Sequence, residues 1–199
     1  MTETYPKITI KLYRPPLQAG FVPRPQLLEQ FEGWQRTPLT LISAPTGYGK
    51  TALVSSWLET MEFPNAWVTL DEGDDNLVQF LNCFLAAIRS IFPEAVEDTL
   101  VPSNGSEQPP VQALANSLIN DLDQITADYV LVLDNYHAIA QMDNHEIVSA
   151  LLLTPPPSLH LVLCTRFDPP LDLSSLRAKN RLMEIRAREL CPVQAEVAE

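Results

Sequence analysis

Apolar residues along this chain come in short unbroken runs separated by stretches of helical periodicity. Five runs have the length and composition of buried strands: LTLISA at 39–44, AWVTL at 66–70, YVLVLD at 129–134, LHLVLCT at 159–165 and LMEIRA at 182–187. Between them, apolar positions recur at helical spacing at about 50–61, 77–92, 111–124 and 144–153, the last stopping against Pro155, Pro156 and Pro157. A strand that is apolar at nearly every position has both faces covered. Such strands, alternating with helices, build a parallel sheet between helical layers. The pattern predicts an α/β fold with a parallel five-stranded sheet.

The flanks read differently. Residues 1–38 are rich in proline (YRPPLQAGFVPRPQLLEQF) and predict an extended N-terminal arm, with a short helix from Pro25 that places Leu27, Leu28 and Phe31 on one side. DTLVPSNGSEQPP at 98–110 predicts a flexible insertion. ELCPVQAEVAE predicts a helix that is only beginning, so 191–199 reads as the start of a truncated following segment and 39–190 as the main domain.

The transition after the first strand carries the chemistry. Ala44-Pro-Thr-Gly-Tyr-Gly-Lys-Thr51 leads from an apolar run straight into an amphipathic one, and Lys50 is the only lysine between Lys11 and Lys179. A helix N-terminus has unpaired N–H groups and the positive end of a dipole, so it attracts phosphate. Gly47 and Gly49 let the backbone wrap around the anion by allowing positive φ. Lys50 then offers a point charge to the β and γ oxygens, and the Thr51 hydroxyl can ligate Mg²⁺. Ala44 stands where a glycine is usual, and a small residue satisfies the same turn. The stretch reads as a P-loop, with Thr46, Gly47, Tyr48, Gly49, Lys50, Thr51 and Ala52 around the phosphates. A glycine-rich turn without a ligand is the bland alternative.

A P-loop needs a carboxylate at the end of a neighbouring buried strand to hold Mg²⁺ through water. YVLVLD supplies Asp134, which would be costly after four apolar residues unless it met a cation or the C-terminal rim of the sheet. A helix-capping aspartate is the other reading. The next residue, where many hydrolysing members carry a second acid, is Asn135. An amide positions a water but cannot take its proton, so slow or absent hydrolysis is expected. The cluster Asp71, Glu72, Asp74 and Asp75 could supply a base or could be a solvated loop. Arg166 could reach the γ-phosphate or could pair with Asp168 at the surface. His137 could sense the site or could simply be packed.

Composition narrows the partners. The net charge of −12 argues against a nucleic-acid or anionic-membrane footprint. No apolar run approaches the roughly 20 residues that span a bilayer, and residues 1–20 lack the apolar core of a secretory signal. A cytoplasmic setting is expected. Cys83, Cys164 and Cys191 form no CxxC pair and predict buried reduced thiols rather than a metal site.

Taken together, KLYRPPL, FVPRPQLLEQF, LISAPTGYGKTALVSSW, AWVTLDEGDDN, LVLDNYHAI and LHLVLCTRFDPPLDLSSLRAKNRLMEIRARELC resemble, in order, the MalT-like branch of the STAND ATPases, which includes large LuxR-family transcriptional regulators. The resemblance implies a three-layer ASCE core (RecA/AAA-like), with another strand between the P-loop strand and the strand bearing Asp134. It implies an arm folded over adenine, with Val22 backbone groups on the base and Arg24 near the nucleotide. It also implies an ATP/ADP switch with Mg²⁺, catalytic positions at Asp134, Asn135 and Arg166, and metal contacts from Thr51 and Asp134. Self-association in the ATP state would use parts of the full-length protein, as would DNA binding. Two other readings remain at this point: a small-molecule kinase, disfavoured by the absence of Arg and Lys between Arg89 and Arg166, and an interaction scaffold that binds no nucleotide.

Overall fold

All five apolar runs form strands in the computed structural model, which describes residues 6–96 and 109–191. They are β1 (Leu39–Ser43), β2 (Asn65–Thr69), β3 (Tyr129–Asp134), β4 (Leu159–Thr165) and β5 (Leu182–Arg186). Their order across the sheet is β2-β3-β4-β1-β5, and every neighbouring pair is parallel. β4 therefore separates β1 from β3, as the resemblance implied. The three central strands are buried at every position, whereas β2 and β5 at the edges are only partly so.

Eight α-helices are described: α1 (Pro6–Lys11), α2 (Pro25–Leu28), α3 (Lys50–Glu59), α4 (Leu77–Ile91), α5 (Val111–Asp123), α6 (Met142–Leu153), α7 (Leu173–Ala178) and α8 (Ala187–Leu190). Successive strand residues feed opposite layers. Leu41, Leu131, Leu133, Leu161 and Leu163 pack into one core with α4, α5 and α6. Ile42, Val130, Val132, Val162 and Cys164 pack into the other, beneath α3 and the turns around Phe31 and Trp34. There the Trp57 ring stacks on Phe31 with centroids 4.3 Å apart. Each fully buried leucine or valine in these layers contributes roughly 1.5–3 kcal/mol.

The arm departs from the extended form expected of it. PKITIK alternates like a strand, yet it folds as α1, because Ile8 and Leu12 pack against the main core. Lys11 then reaches the acidic loop after β2: its ammonium donates to both Asp74 oxygens at 2.6 and 2.7 Å and pairs with Asp71 at 2.9 Å. Further on, the Ser55 hydroxyl of α3 donates to the Pro15 carbonyl at 2.7 Å. Cys83 and Cys164 are buried as expected; Cys191, which follows the last turn of α8, is exposed among the described residues. The insertion expected at 98–110 lies outside the described residues up to 108, as does the segment from 192 onward.

Candidate functional site

β1 delivers the chain to the C-terminal rim of the sheet, where Ala44 is still tied to β4 by its N–H to the Thr165 carbonyl (3.2 Å). Pro45 to Gly49 then form an exposed loop, and α3 begins at Lys50. Gly47 and Gly49 have φ of +87° and +79°, and a Cβ built on either would meet nothing within 4 Å. Backbone conformation, not crowding, is what demands glycine there; a side chain in the left-handed region costs roughly 1–2 kcal/mol.

Three side chains converge behind this loop. The Lys50 ammonium is buried and donates to the Ala44 carbonyl (2.7 Å) and the Pro45 carbonyl (3.0 Å). Its burial lowers its pKa. The Thr51 hydroxyl donates to Asp134 Oδ2 at 2.9 Å, and the Asn135 N–H donates to Asp134 Oδ1 at 2.9 Å. Burial raises the pKa of the Asp134 carboxyl, and these two bonds together with the Lys50 charge oppose that rise. Asn135 has φ of +60° and turns the chain into a short 3-10 segment, Tyr136–Ala138. Asparagine tolerates the left-handed region better than most residues, and aspartate shares that tolerance.

Arg166 leaves β4 at the same rim. It does not take Asp168, which is bonded instead by Arg186, a side chain that also reaches Glu184. Thr46, Gly47, Gly49, Lys50, Thr51, Ala52, Asn135 and Arg166 all line one cleft of about 480 Å³, whose opposite wall is the arm from Pro15 to Phe21. Asp134 lies behind that cleft, bonded to Thr51. Tyr48 and Val22 are exposed and stand outside the lining, although both neighbour residues within it. The Arg24 guanidinium is directed at the end of α8, donating to the carbonyls of Leu190 (2.7 Å), Glu189 (3.2 Å) and Cys191 (3.3 Å).

Sequence reasoning did not identify Pro15, Pro16, Gln18, Ala19, Gly20 and Phe21 as a wall of the cleft. Only the irregular, proline-rich composition of that stretch hinted at a segment with a job other than core packing. The acidic cluster also has a different role from either one considered for it. Asp74 is buried in the grip of Lys11. Asp75 Oδ1 accepts the N–H groups of Ala140 and Gln141 at 2.7 and 2.8 Å, just before α6. Asp74 and Asp75, with the more exposed Asp71 also paired to Lys11, thus fasten the arm and the loop after β3 to the end of β2, while Glu72 remains exposed.

Among the described residues no group of three or more His, Cys, Asp or Glu side chains could cage a metal. The Thr51–Asp134 pair suits Mg²⁺ in another way. It offers two hard oxygen donors side by side, which is enough for an ion that otherwise keeps water and nucleotide oxygens as ligands.

No family model matches the chain. Among curated proteins it is 31% identical over 183 residues to the HTH-type transcriptional regulator MalT of Yersinia enterocolitica, covering 92% of this chain and 20% of that protein. It is 33% identical over 187 residues to MalT of Klebsiella pneumoniae, with the same coverage. The chain thus spans about a fifth of the length of the curated relatives it matches. Among solved structures it is similar to a STAND protein with a tetratricopeptide repeat sensor from Pyrococcus horikoshii, with a TM-score of 0.54 and 17% identity over 87% of this chain and 24% of that one. It is also similar to Cdc6p from Pyrobaculum aerophilum, with a TM-score of 0.52 and 17% identity over 84% of this chain and 47% of that one. These two likenesses are of the fold.

A parallel sheet in this order, with a glycine-turned loop at the end of β1 and a carboxylate at the end of β3, defines a P-loop ATPase fold of the AAA+ and STAND kind. Within that fold the chain is MalT-like, matching about a fifth of the length of those regulators at 31–33% identity.

Proposed function

We propose that this chain is the ATP/ADP-binding switch module of a STAND-type transcriptional regulator in the cytoplasm, with slow Mg²⁺-dependent hydrolysis at most. The observation that carries the reading is that Lys50 and Thr51 line a single cleft while Asp134, bonded to Thr51, stands behind it. The phosphates of a nucleotide would accept the N–H groups at the start of α3, and Lys50 would exchange the Ala44 and Pro45 carbonyls for phosphate oxygens. That exchange replaces neutral acceptors with charged ones, so it favours the bound state. Thr51 and Asp134 are the residues that would hold Mg²⁺, which when bound neutralises charge between the outer phosphates.

Asn135 can orient a water near the last phosphate but cannot accept its proton, which is why turnover is expected to be slow. Arg166 reaches into the cleft from the end of β4 and would meet the γ-phosphate, present in ATP and absent in ADP. The arm from Pro15 to Phe21 would cover the base, with Val22 and Arg24 at its far end. DNA binding and self-association belong, on this reading, to other parts of a longer protein.

Calorimetric titration with ADP and ATP, with and without Mg²⁺, tests the reading, with Lys50→Ala as the control. Micromolar binding is expected, lost by a hundredfold or more in Lys50→Ala. The variant should melt close to the parent, since Lys50 bonds only to two loop carbonyls. A Lys50→Ala variant that binds ATP as the parent does would refute the P-loop assignment.

A further inference from the structure

We propose that the groove between residues 25–35 and the end of α3 docks a basic, amphipathic helical segment of a partner protein. The groove has a volume of about 580 Å³ and shares no lining residue with the cleft at the phosphate loop, so the inference stands apart from the nucleotide reading. α3 starts at that loop and ends at Glu59, beside the groove. Its ten residues hold the two sites apart by about 15 Å.

The floor of the groove is aromatic and rigid. Phe31 and Trp57 stack at 4.3 Å, and the Trp34 ring meets Trp57 and Phe63 edge to face, with centroids 6.3 and 5.3 Å apart. Phe31, Trp34 and Trp57 are buried, whereas Phe63 is 40% exposed and lines the groove with Met61. Trp, Phe and Met are the residues enriched at the centres of protein interfaces, and a floor already fixed by packing loses little entropy on binding.

The rim decides the partner. Glu29, Glu32 and Glu62 line the groove and are exposed, and among the described residues no hydrogen bond or ion pair holds their carboxylates. No basic side chain lines the groove; Arg36, which follows the lining residue Gln35, stands outside it. Three unpaired carboxylates around an apolar floor repel nucleic acid, an anionic membrane and a second copy of a chain that itself carries a charge of −12. They suit a helix with Lys and Arg flanking an apolar stripe. The stripe fills the groove with side chains at i, i+3, i+4 and i+7, the basic groups meet the rim, and an arginine lies over the exposed Phe63 ring.

The test titrates the full chain with a synthetic peptide of about four helical turns, with Leu at i, i+3, i+4 and i+7, Lys or Arg elsewhere and no aromatic residue. Trp34 and Trp57, two of the three tryptophans, line the groove, so their emission reports binding alongside calorimetry. Saturable one-to-one binding in the micromolar range is expected, with a change in tryptophan emission and weakening as ionic strength rises. Glu29→Gln, Glu32→Gln and Glu62→Gln together should weaken it about tenfold, since one exposed ion pair is worth only a few-fold. Phe63→Ala should weaken it by a similar factor. Glu94→Gln, Asp123→Asn and Glu146→Gln together, at exposed carboxylates outside the groove, should leave it unchanged. The proposal is overturned if the peptide does not bind, or if a version with Glu for Lys and Arg, or a scrambled version without an apolar face, binds as well. It is equally overturned if the distant triple variant loses as much as the rim variant, which would reduce the attraction to net charge. Self-association of the parent in the ultracentrifuge, abolished by Phe63→Ala, would make a second copy the occupant and overturn it too. Should Phe63→Ala fail to fold, the rim variant, confined to exposed side chains, decides the matter.

Discussion

Replacing Lys11 with methionine would leave Asp74 as an unpaired carboxylate beneath the arm. The two side chains are 17% and 4% exposed, and their atoms approach to 2.6 Å. Removing one partner of a fully buried pair costs about 3–5 kcal/mol. Here Lys11 touches water, and Asp74 keeps the Asp71 N–H (2.9 Å) and the Cys83 thiol (3.4 Å), so roughly 2–3 kcal/mol is the better figure. For a chain of 199 residues that corresponds to a loss of about 5–10 °C in Tm.

The alkaline limit follows from the same pair. Burial alone would lower the Lys11 pKa, but the bonds and charges of Asp74 and Asp71 outweigh it, and the net shift is upward. The contribution is therefore complete below the ordinary lysine value and fades only as pH rises through the higher folded value. Differential scanning calorimetry of the parent, Lys11→Met, Asp74→Asn and the double variant separates the pair from its context. The double variant should be less damaged than the two single effects combined, by about 2 kcal/mol. Strict additivity, or a Lys11→Met variant that melts within 2 °C of the parent by the same size scaling, would show that the acidic loop does not hold the arm.

Two other perturbations give sharp outcomes. Asn135→Asp should raise ATP hydrolysis measurably in a phosphate-release assay, because aspartate fits the left-handed backbone and can accept a proton; unchanged turnover would mean that another group limits it. His160 is buried neutral, with one ring nitrogen 2.5 Å from the Thr37 carbonyl and the other 2.9 Å from the Thr40 hydroxyl, and burial holds its pKa at about 4. The unfolded chain takes up that proton near pH 6.5, so stability is complete above this value and falls as pH drops toward 4, by about 3 kcal/mol in total. Melting curves of His160→Gln should be less pH-dependent between 6.5 and 4; a slope equal to the parent's would assign the acid sensitivity elsewhere.

Much of the fold could be read from the chain because buried parallel strands advertise themselves. LTLIS and LHLVLCT are apolar on both faces for the same reason that they lie at the sheet's centre. The glycine-turned loop between β1 and α3 was equally legible, since its residues are consecutive. What escaped reading was decided at a distance. PKITIK carries a strand-like alternation, and only its docking on the core and the reach of Lys11 to a carboxylate 63 residues away make it a helix. The same holds for Asp74 and Asp75, whose partners lie on other elements, and for the arm wall from Pro15 to Phe21. The ring contact between His137 and Phe167 joins two loops that no local pattern connects.

The three bonds from Arg24 to the carbonyls of Glu189, Leu190 and Cys191 give the domain a mechanical property. The segment that walls the cleft ends, within a few residues, in a rigid planar fork clamped to the last turn of α8. On the proposed reading, a nucleotide admitted beneath the arm would load that fork, and any tilt of the arm would be delivered as a pull on residues 189–191, like a crank turning the shaft to which it is keyed.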